Sequence, residues 1–170
     1  MSRIAVIITD MFEDSEYIEP AKAFREAGHT LVHVGLKAGE TVHGKKDDTA
    51  VTIDEAVNTV KVENFDALLI PGGYSPDKLR VDEDAVRFAG DFVRSGKPVF
   101  SICHAAQLLI TADVLRGRNV TGYKSVIQDI KNAGAEFLDQ EVVEDGRLVS
   151  SRDPGDLPAF IRASLRHLEP

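Results

Sequence analysis

Short hydrophobic runs recur along the chain and are separated by segments in which hydrophobic residues have helical spacing. The first run, "RIAVIIT", is rich in β-branched residues and has no polar alternation. Such a run is typical of a strand that is covered on both faces, as in a parallel sheet. The pattern predicts strands at residues 3–9, 30–35, 66–73 and 98–103.

Helical spacing follows the first strand, where Tyr17, Ala21 and Phe24 share one face and Gly28 marks the predicted end. Pro20 leaves the start of this helix open, because proline fits a first turn and disturbs later ones. Further helices are predicted at residues 82–97, at 104–113, around Val126, Ile127 and Ile130, and at the C-terminus, where Asp156 is the expected N-cap.

Two surface hairpins are predicted, at residues 39–54 and at 141–151 with an Asp145-Gly146 turn. The alternation of strands and helices predicts an α/β fold, a mostly parallel sheet with helices on both faces. Ligands of such sheets bind at the carboxyl ends of the strands, near a topological switch point. Polar or glycine-rich segments follow the predicted strands at Thr9–Glu16, Pro71–Pro76 and Cys103-His104, so we expect the site there.

Composition narrows the class of protein. A chain of 170 residues is predicted to form one domain, 1–170. The net charge of −8 argues against nucleic-acid or anionic-membrane binding, since either usually requires a basic face. One cysteine excludes an internal disulfide and suits a reducing compartment. The N-terminal run is too short for a signal peptide or a membrane span, and we expect a cytoplasmic protein.

The single cysteine, Cys103, lies where a predicted strand turns into a helix. Such a turn resembles a nucleophile elbow, which directs the sulfur outward and near the positive end of a helix. Helix termini can lower a thiol pKa from about 8.5 to roughly 3.5–7.5, so we expect a reactive thiolate rather than a small buried hydrophobic residue. His104 is a candidate acid or base, although neighbouring side chains usually diverge.

Two other segments supply candidate groups. Glu13 and Glu16 share one side of the turn that opens a helix, and they either stabilise the helix dipole or direct a carboxyl group at the thiol. A carboxyl group beside a thiolate would have a raised pKa. Gly72 and Gly73 either form a plain turn or offer backbone N–H groups to an oxyanion.

Nucleotide and metal sites lack support in the sequence. No GxGxxG or Walker loop is present, and neither HExxH nor paired Cys/His spacing occurs. We therefore expect no cofactor and no metal.

The motifs together resemble the PfpI/ThiJ family nearly from end to end. The resemblance implies a flavodoxin-like, doubly wound α/β sandwich related to class I glutamine amidotransferase domains. The matching stretches are "FEDSE", "FDALLIPGGYSPDKLR", "GKPVFSICH", "LRGR", "NAGAEFLD" and "VVEDGRLVSSRDPGDLPAF".

The resemblance also implies roles for individual residues. The elbow cysteine of the family matches Cys103, the carboxylate that contacts it matches Glu16 with Glu13 nearby, and the following histidine matches His104. The acid that peptidase-like members borrow from a neighbouring subunit matches Asp77, which implies a homodimer or higher homo-oligomer.

Other positions border the pocket of the family or depart from its pattern. Tyr123 and Arg152 match positions that border this pocket. Ala105-Ala106 replaces the Gly-Pro that often follows the cysteine and histidine, a change that could narrow the pocket. Asp77 is one methylene shorter than the glutamate of some peptidase-like members, which weakens the case for a Cys-His-acid triad.

Three functions fit these residues. The first is a stress-response hydrolase that acts on glyoxal-type aldehydes or their protein adducts, a deglycase or glyoxalase. The second is an intracellular cysteine peptidase that uses Cys103, His104 and Asp77 of another subunit. The third is a redox sensor or stress chaperone that works through oxidation of Cys103. A small pocket suffices for the first, whereas a peptidase needs a groove.

Overall fold

Eleven strands and six α-helices make up the fold, which a computed structural model describes for residues 1–170. The strands are β1 Arg3–Ile7, β2 Thr30–Gly35, β3 Thr41–His43, β4 Ala50–Thr52, β5 Glu55–Ala56, β6 Ala67–Ile70, β7 Val99–Ile102, β8 Asn119–Val120, β9 Glu136–Phe137, β10 Val143–Asp145 and β11 Leu148–Ser151. The helices are α1 Asp14–Glu26, α2 Ser75–Leu79, α3 Glu83–Arg94, α4 Ala106–Thr111, α5 Ile127–Asn132 and α6 Leu157–His167.

Seven strands form the central sheet in the order β10-β11-β7-β6-β1-β2-β5. Every pair is parallel except β10 with β11, an antiparallel hairpin whose two-residue turn is Gly146-Arg147, one position later than the predicted Asp145-Gly146. Without the short β5 and β10, the parallel strands follow the flavodoxin order 2-1-3-4-5. The topological switch point of this order lies between β1 and β6, so a ligand site is expected at the carboxyl ends of β1, β6 and β7.

The hydrophobic runs of the central strands are unbroken because both faces of the sheet are covered. Along β1, Ala5 and Ile7 pack into one core while Ile4 and Val6 pack into the opposite one. Helices α3, α4 and α5 contribute to the first core, and α1 and α6 contribute to the second. This confirms the predicted α/β architecture with a mostly parallel sheet.

Some predicted elements differ from the observed ones. Helix α2 was not predicted, because its five residues follow two glycines and show no full helical period. The predicted helix at 104–113 begins instead as a tight 3-10 turn at Cys103–Ala105 before α4. Asp156 is the N-cap residue of α6 as predicted, but its carboxylate accepts hydrogen bonds from Arg152 and makes no capping hydrogen bond to the helix. The predicted hairpin at 39–54 is confirmed as β3 and β4. None of the six α-helices combines the length and the hydrophobicity that a membrane-spanning helix requires.

Candidate active site

Cys103 lies at the carboxyl end of β7 in a strained backbone conformation. Its φ of 63° is in the left-handed region, which is uncommon for a residue with a side chain and recurs at functional sites. The tight turn directs the imidazole of His104 back towards the sulfur, with Nδ1 at 3.3 Å from Sγ. The two neighbouring side chains therefore meet, which the usual divergence of adjacent residues does not predict.

The thiol is buried, with 7% of Cys103 exposed, so the expected outward exposure of the sulfur is wrong. Burial and, after it, the charge of Glu16 raise the pKa of Cys103 well above its usual range. The backbone N–H groups of His104 and Gly73 face the sulfur and oppose this rise without overcoming it. The expected lowering of the thiol pKa is therefore wrong for the resting site, because the sequence does not reveal how closely the chain covers the sulfur.

Glu16 is the partner of the thiol and is completely buried on the first turn of α1. Its Oε1 accepts a hydrogen bond of 2.9 Å from the backbone N–H of Gly72. Its Oε2 is buried and makes no hydrogen bond that meets the usual distance and angle limits. The side chain that lies in hydrogen-bonding position beside this carboxyl group is the Cys103 thiol. Burial and the nearby charge of Glu13 raise the pKa of Glu16 to about 8, as the carboxyl-beside-thiol hypothesis requires.

The thiol and the carboxyl group form one proton-sharing pair. Each group is more costly to ionise while the other is charged. The first deprotonation therefore belongs to the pair as a whole and not to either residue alone. Once that proton is lost, the remaining one can lie on Glu16 or on sulfur. Glu16 is thus able to take the proton of the thiol in those molecules in which its own carboxyl group is ionised, a fraction that grows as the pH approaches 8.

Gly72 and Gly73, which follow β6, have different roles at the site. A Cβ at Gly72 would lie 2.4 Å from Oε1 of Glu16 and 2.9 Å from Cβ of Cys103, so a side chain there cannot coexist with the pair. The N–H of Gly72 is bound to Glu16 and is not available to an oxyanion, which corrects the proposed oxyanion role of this residue. Gly73, at φ 80°, directs its N–H at the sulfur and keeps that candidate role together with the N–H of His104.

His104 is held between two side chains. Its ring stacks on Tyr123 at a centroid distance of 4.7 Å, and its Nε2 is 3.2 Å from the hydroxyl of Ser125. Burial and the charge of Lys45 lower the pKa of His104 against the opposing charge of Asp77, so the ring is neutral at pH 7. Asp77 lies exposed on α2 and makes no hydrogen bond to His104 within the chain, so a single chain does not form a Cys-His-Asp triad.

Glu13, the other carboxylate of the sequence motif, faces the hairpin of β3 and β4. Its side chain pairs with Lys45 at 3.2 Å and with Lys46 at 3.3 Å. It acts on the thiol indirectly, because its negative charge contributes to the raised pKa of Glu16 after the larger effect of burial.

Tyr123 and Arg152 line one cavity of about 360 Å³, but Cys103, His104 and Glu16 are not among its lining residues, so the expectation that both border the pocket of the thiol stays a prediction. The guanidinium of Arg152 is already engaged by both oxygens of Asp156 at 2.9 Å and by Asp139 at 3.1 Å. Arg152 therefore shapes this cavity and has few donors left for a substrate. A larger cavity of about 630 Å³ lies beside α3 and contains none of the candidate residues.

Sequence reasoning missed three groups at the site: Ser125, the backbone N–H of His104, and Lys45. Ser125 carries no local signal, because its contact depends on the loop after β8. Lys45 lies in the tip that was assigned only to a surface hairpin. The sequence did hold a signal, since that hairpin follows the carboxyl end of β2, at the ligand-binding edge of a parallel sheet.

The raised pKa of Glu16 gives a prediction about stability. Between about pH 4.5 and 8 the carboxyl group is protonated in the folded protein and ionised in the unfolded one. Its stabilising contribution is complete below this window and is lost as the pH rises through it, by up to about 1.4 kcal/mol per pH unit. We expect urea unfolding to show Glu16→Gln gaining stability relative to wild type from pH 5 to pH 8. An unchanged difference across this range would contradict the assigned pKa.

An elbow thiol beside the switch point of a flavodoxin-like sheet, paired with a buried carboxyl group, is the combination that identifies the class of this protein. The chain belongs to the DJ-1/PfpI family, whose pattern it matches over residues 2–167. It is 59% identical to "Protein/nucleic acid deglycase 2" of Escherichia coli (strain K12) over 98% of this chain and 97% of the relative. It is 54% identical to "General stress protein 18" of Bacillus subtilis (strain 168) over 98% of each.

The fold is also that of a crystal structure from Anabaena variabilis, a two-domain protein with DJ-1/ThiJ/PfpI-like and ferritin-like domains. The two superpose with a TM-score of 0.96 at 38% identity, over 99% of this chain and 48% of the other. This chain thus spans about half the length of that protein.

Proposed function

We propose that this protein is a cysteine-dependent hydrolase of glyoxal-type aldehydes and of the adducts they form on protein amines and thiols. The observation that carries the proposal is the buried Glu16 carboxyl group beside the Cys103 thiol, with a pKa of about 8. The similarity to a protein named as a deglycase supports the same chemistry.

The reaction begins with attack of the Cys103 sulfur on the aldehyde carbon of methylglyoxal, or on the carbinol carbon of an adduct. Glu16 takes the thiol proton as the carbon–sulfur bond forms. The N–H groups of Gly73 and His104 are placed to stabilise the developing negative charge on oxygen. With an adduct, the proton then passes to the leaving amine or thiol of the protein.

The second stage converts the sulfur-bound aldehyde to an acid. A proton moves from the carbon attached to sulfur to the neighbouring carbonyl carbon, which leaves a thioester of the 2-hydroxy acid on Cys103. Water then cleaves the thioester to release lactate from methylglyoxal or glycolate from glyoxal. Glu16 and the neutral His104 are the groups placed to move these protons.

The buried thiol favours this function over the two alternatives. A thiol on a residue that is only 7% exposed admits a small aldehyde more readily than a polypeptide segment. The raised pKa of Cys103, caused by burial and then by Glu16, also disfavours spontaneous oxidation in a redox sensor, because the thiolate is the form that oxidises.

We also propose that the chain works as a homodimer or a higher homo-oligomer in the cytoplasm. Asp77 is exposed on α2, close enough for its charge to act on His104, so a neighbouring subunit could pack over this edge. The single cysteine has no partner for a disulfide, which suits a reducing compartment. This assembly matters for a peptidase but is not needed for aldehyde chemistry.

The proposal is tested by giving the wild-type protein two kinds of substrate. One is the adduct of methylglyoxal with N-acetylcysteine, and the other is a casein-derived peptide. We expect lactate and free N-acetylcysteine in equal amounts over many turnovers and no cleavage of the peptide. Peptide cleavage without lactate release would replace the proposal with the peptidase.

A further inference from the structure

Lys45 belongs to a hairpin tip, yet its charge acts on Cys103, Glu16 and His104. Its Nζ is 3.2 Å from Oε2 of Glu13 and lies 5.3 Å from the centre of the Tyr74 ring. Tyr74 directly follows Gly73, the residue whose N–H faces the sulfur of Cys103. Only 27% of the Lys45 side chain is exposed, so this ammonium is partly removed from water.

Hydrogen bonds hold the hairpin tip in the position that places the Lys45 ammonium near Glu13 and Tyr74. The backbone N–H of Lys45 donates to the carbonyl of Phe12, in the loop that leads from β1 to α1. The buried carboxylate of Asp14 accepts hydrogen bonds from the backbone N–H groups of Lys46 and Thr49. The hairpin backbone therefore stabilises the negative charge of Asp14. Because its backbone is held by these hydrogen bonds, Lys45 has a defined position, unlike a lysine on a mobile surface loop.

Positive charge exceeds negative charge within the ion-pair cluster of Lys45, Lys46 and Glu13. Lys45 and Lys46 share the single carboxylate of Glu13. The Glu16 carboxyl group, with a pKa of about 8, and the Cys103 thiol are both mostly protonated at pH 7. Burial opposes charge on Lys45, but contact with Glu13 raises the pKa of its ammonium, so it stays charged. Such a cation in a protein of net charge −8 is suited to an anionic ligand.

We infer that Lys45, lying on Tyr74, forms a carboxylate-binding subsite beside Cys103. It would hold the second oxygen of a 1,2-dicarbonyl substrate and the carboxylate of the 2-hydroxy acid product. The Gly73 and His104 N–H groups serve the oxygen on the attacked carbon, and Lys45 serves the oxygen on the neighbouring carbon. This inference rests on the proposed function for its substrate, but the anion subsite itself is measurable without turnover.

The test compares Lys45→Met with Lys46→Met. Both substitutions remove one ammonium from Glu13, but Lys46 is 64% exposed and makes no contact with Tyr74, so it is the matched control. The readout is the ratio of the rates at which iodoacetate and iodoacetamide alkylate Cys103 at one pH. Both reagents attack the same thiolate, so the ratio isolates the attraction of the negative charge of iodoacetate and is independent of the thiol pKa.

We expect Lys45→Met to lower this ratio by about tenfold, as loss of one nearby charge in a partly screened site predicts, and Lys46→Met by less than about twofold. The inhibition constant of lactate should rise in the same order. A ratio unchanged in Lys45→Met, or lowered equally in both variants, would overturn the subsite. If the ratio falls as expected but the wild type releases no lactate, the anion subsite stands and the proposed substrate is wrong.

Discussion

Replacing Glu16 by glutamine is expected to lower kcat/KM for methylglyoxal by about 10²–10⁴, the usual contribution of a positioned acid or base. The amide can still accept the hydrogen bond from the N–H of Gly72, so the substitution preserves the shape of the site. It removes only the titrating group beside the thiol. Rates measured from pH 6 to pH 9 should also lose the rise that wild type shows as the pair gives up its first proton near pH 8.

Asp77→Asn is the control that separates aldehyde hydrolysis from proteolysis. Asp77 is exposed and makes no hydrogen bond to His104 in the chain, so this variant should keep nearly all activity on methylglyoxal. A peptidase would show the opposite pattern, because the loss of the group that orients the histidine is then severe. Loss of both activities in Asp77→Asn, with normal methylglyoxal turnover in Glu16→Gln, would refute the assigned roles.

The fold was predictable because its central strands all show the same pattern, an unbroken run of hydrophobic residues. An unbroken, β-branched hydrophobic run such as "RIAVIIT" is typical of a strand covered on both faces, and its alternate residues do pack into two separate cores. Short elements escaped prediction, because β5 has two residues and α2 has five, too few for a pattern to stand out from the neighbouring turns.

The site was predictable in its location and in its principal pair. Strand ends at the switch point select Cys103, and the acidic residues after β1 select Glu16 as one of the candidate partners. The direction of the thiol pKa was not predictable, because it depends on burial by residues distant in sequence. The oxyanion role of Gly72 failed for a similar reason, since its N–H is taken by Glu16 across 56 positions of sequence.

Lys45 and Ser125 show the limit of motif reading. Each reaches the site through a loop whose path is set by the sheet, and neither lies in the stretch that carries the thiol. The topology would have pointed to the hairpin of Lys45, because every loop after a carboxyl end of this parallel sheet opens towards the same edge.

Cys103→Ser is the substitution with the largest expected effect. A serine hydroxyl is less acidic and less nucleophilic than a thiol in the same position, so the transfer of its proton to Glu16 and its attack on the aldehyde are both less favourable. We expect turnover to fall by at least about 10³ with the fold retained, because the serine hydroxyl is smaller than the thiol it replaces and the partner Glu16 remains.

The most direct measurement is lactate release from methylglyoxal by wild type and by Cys103→Ser at equal protein concentration. Wild type should form many equivalents of lactate per chain, while Cys103→Ser should stay at the rate of buffer alone. Equal lactate release by the two proteins would show that the thiol does not carry the reaction and would contradict the proposed function.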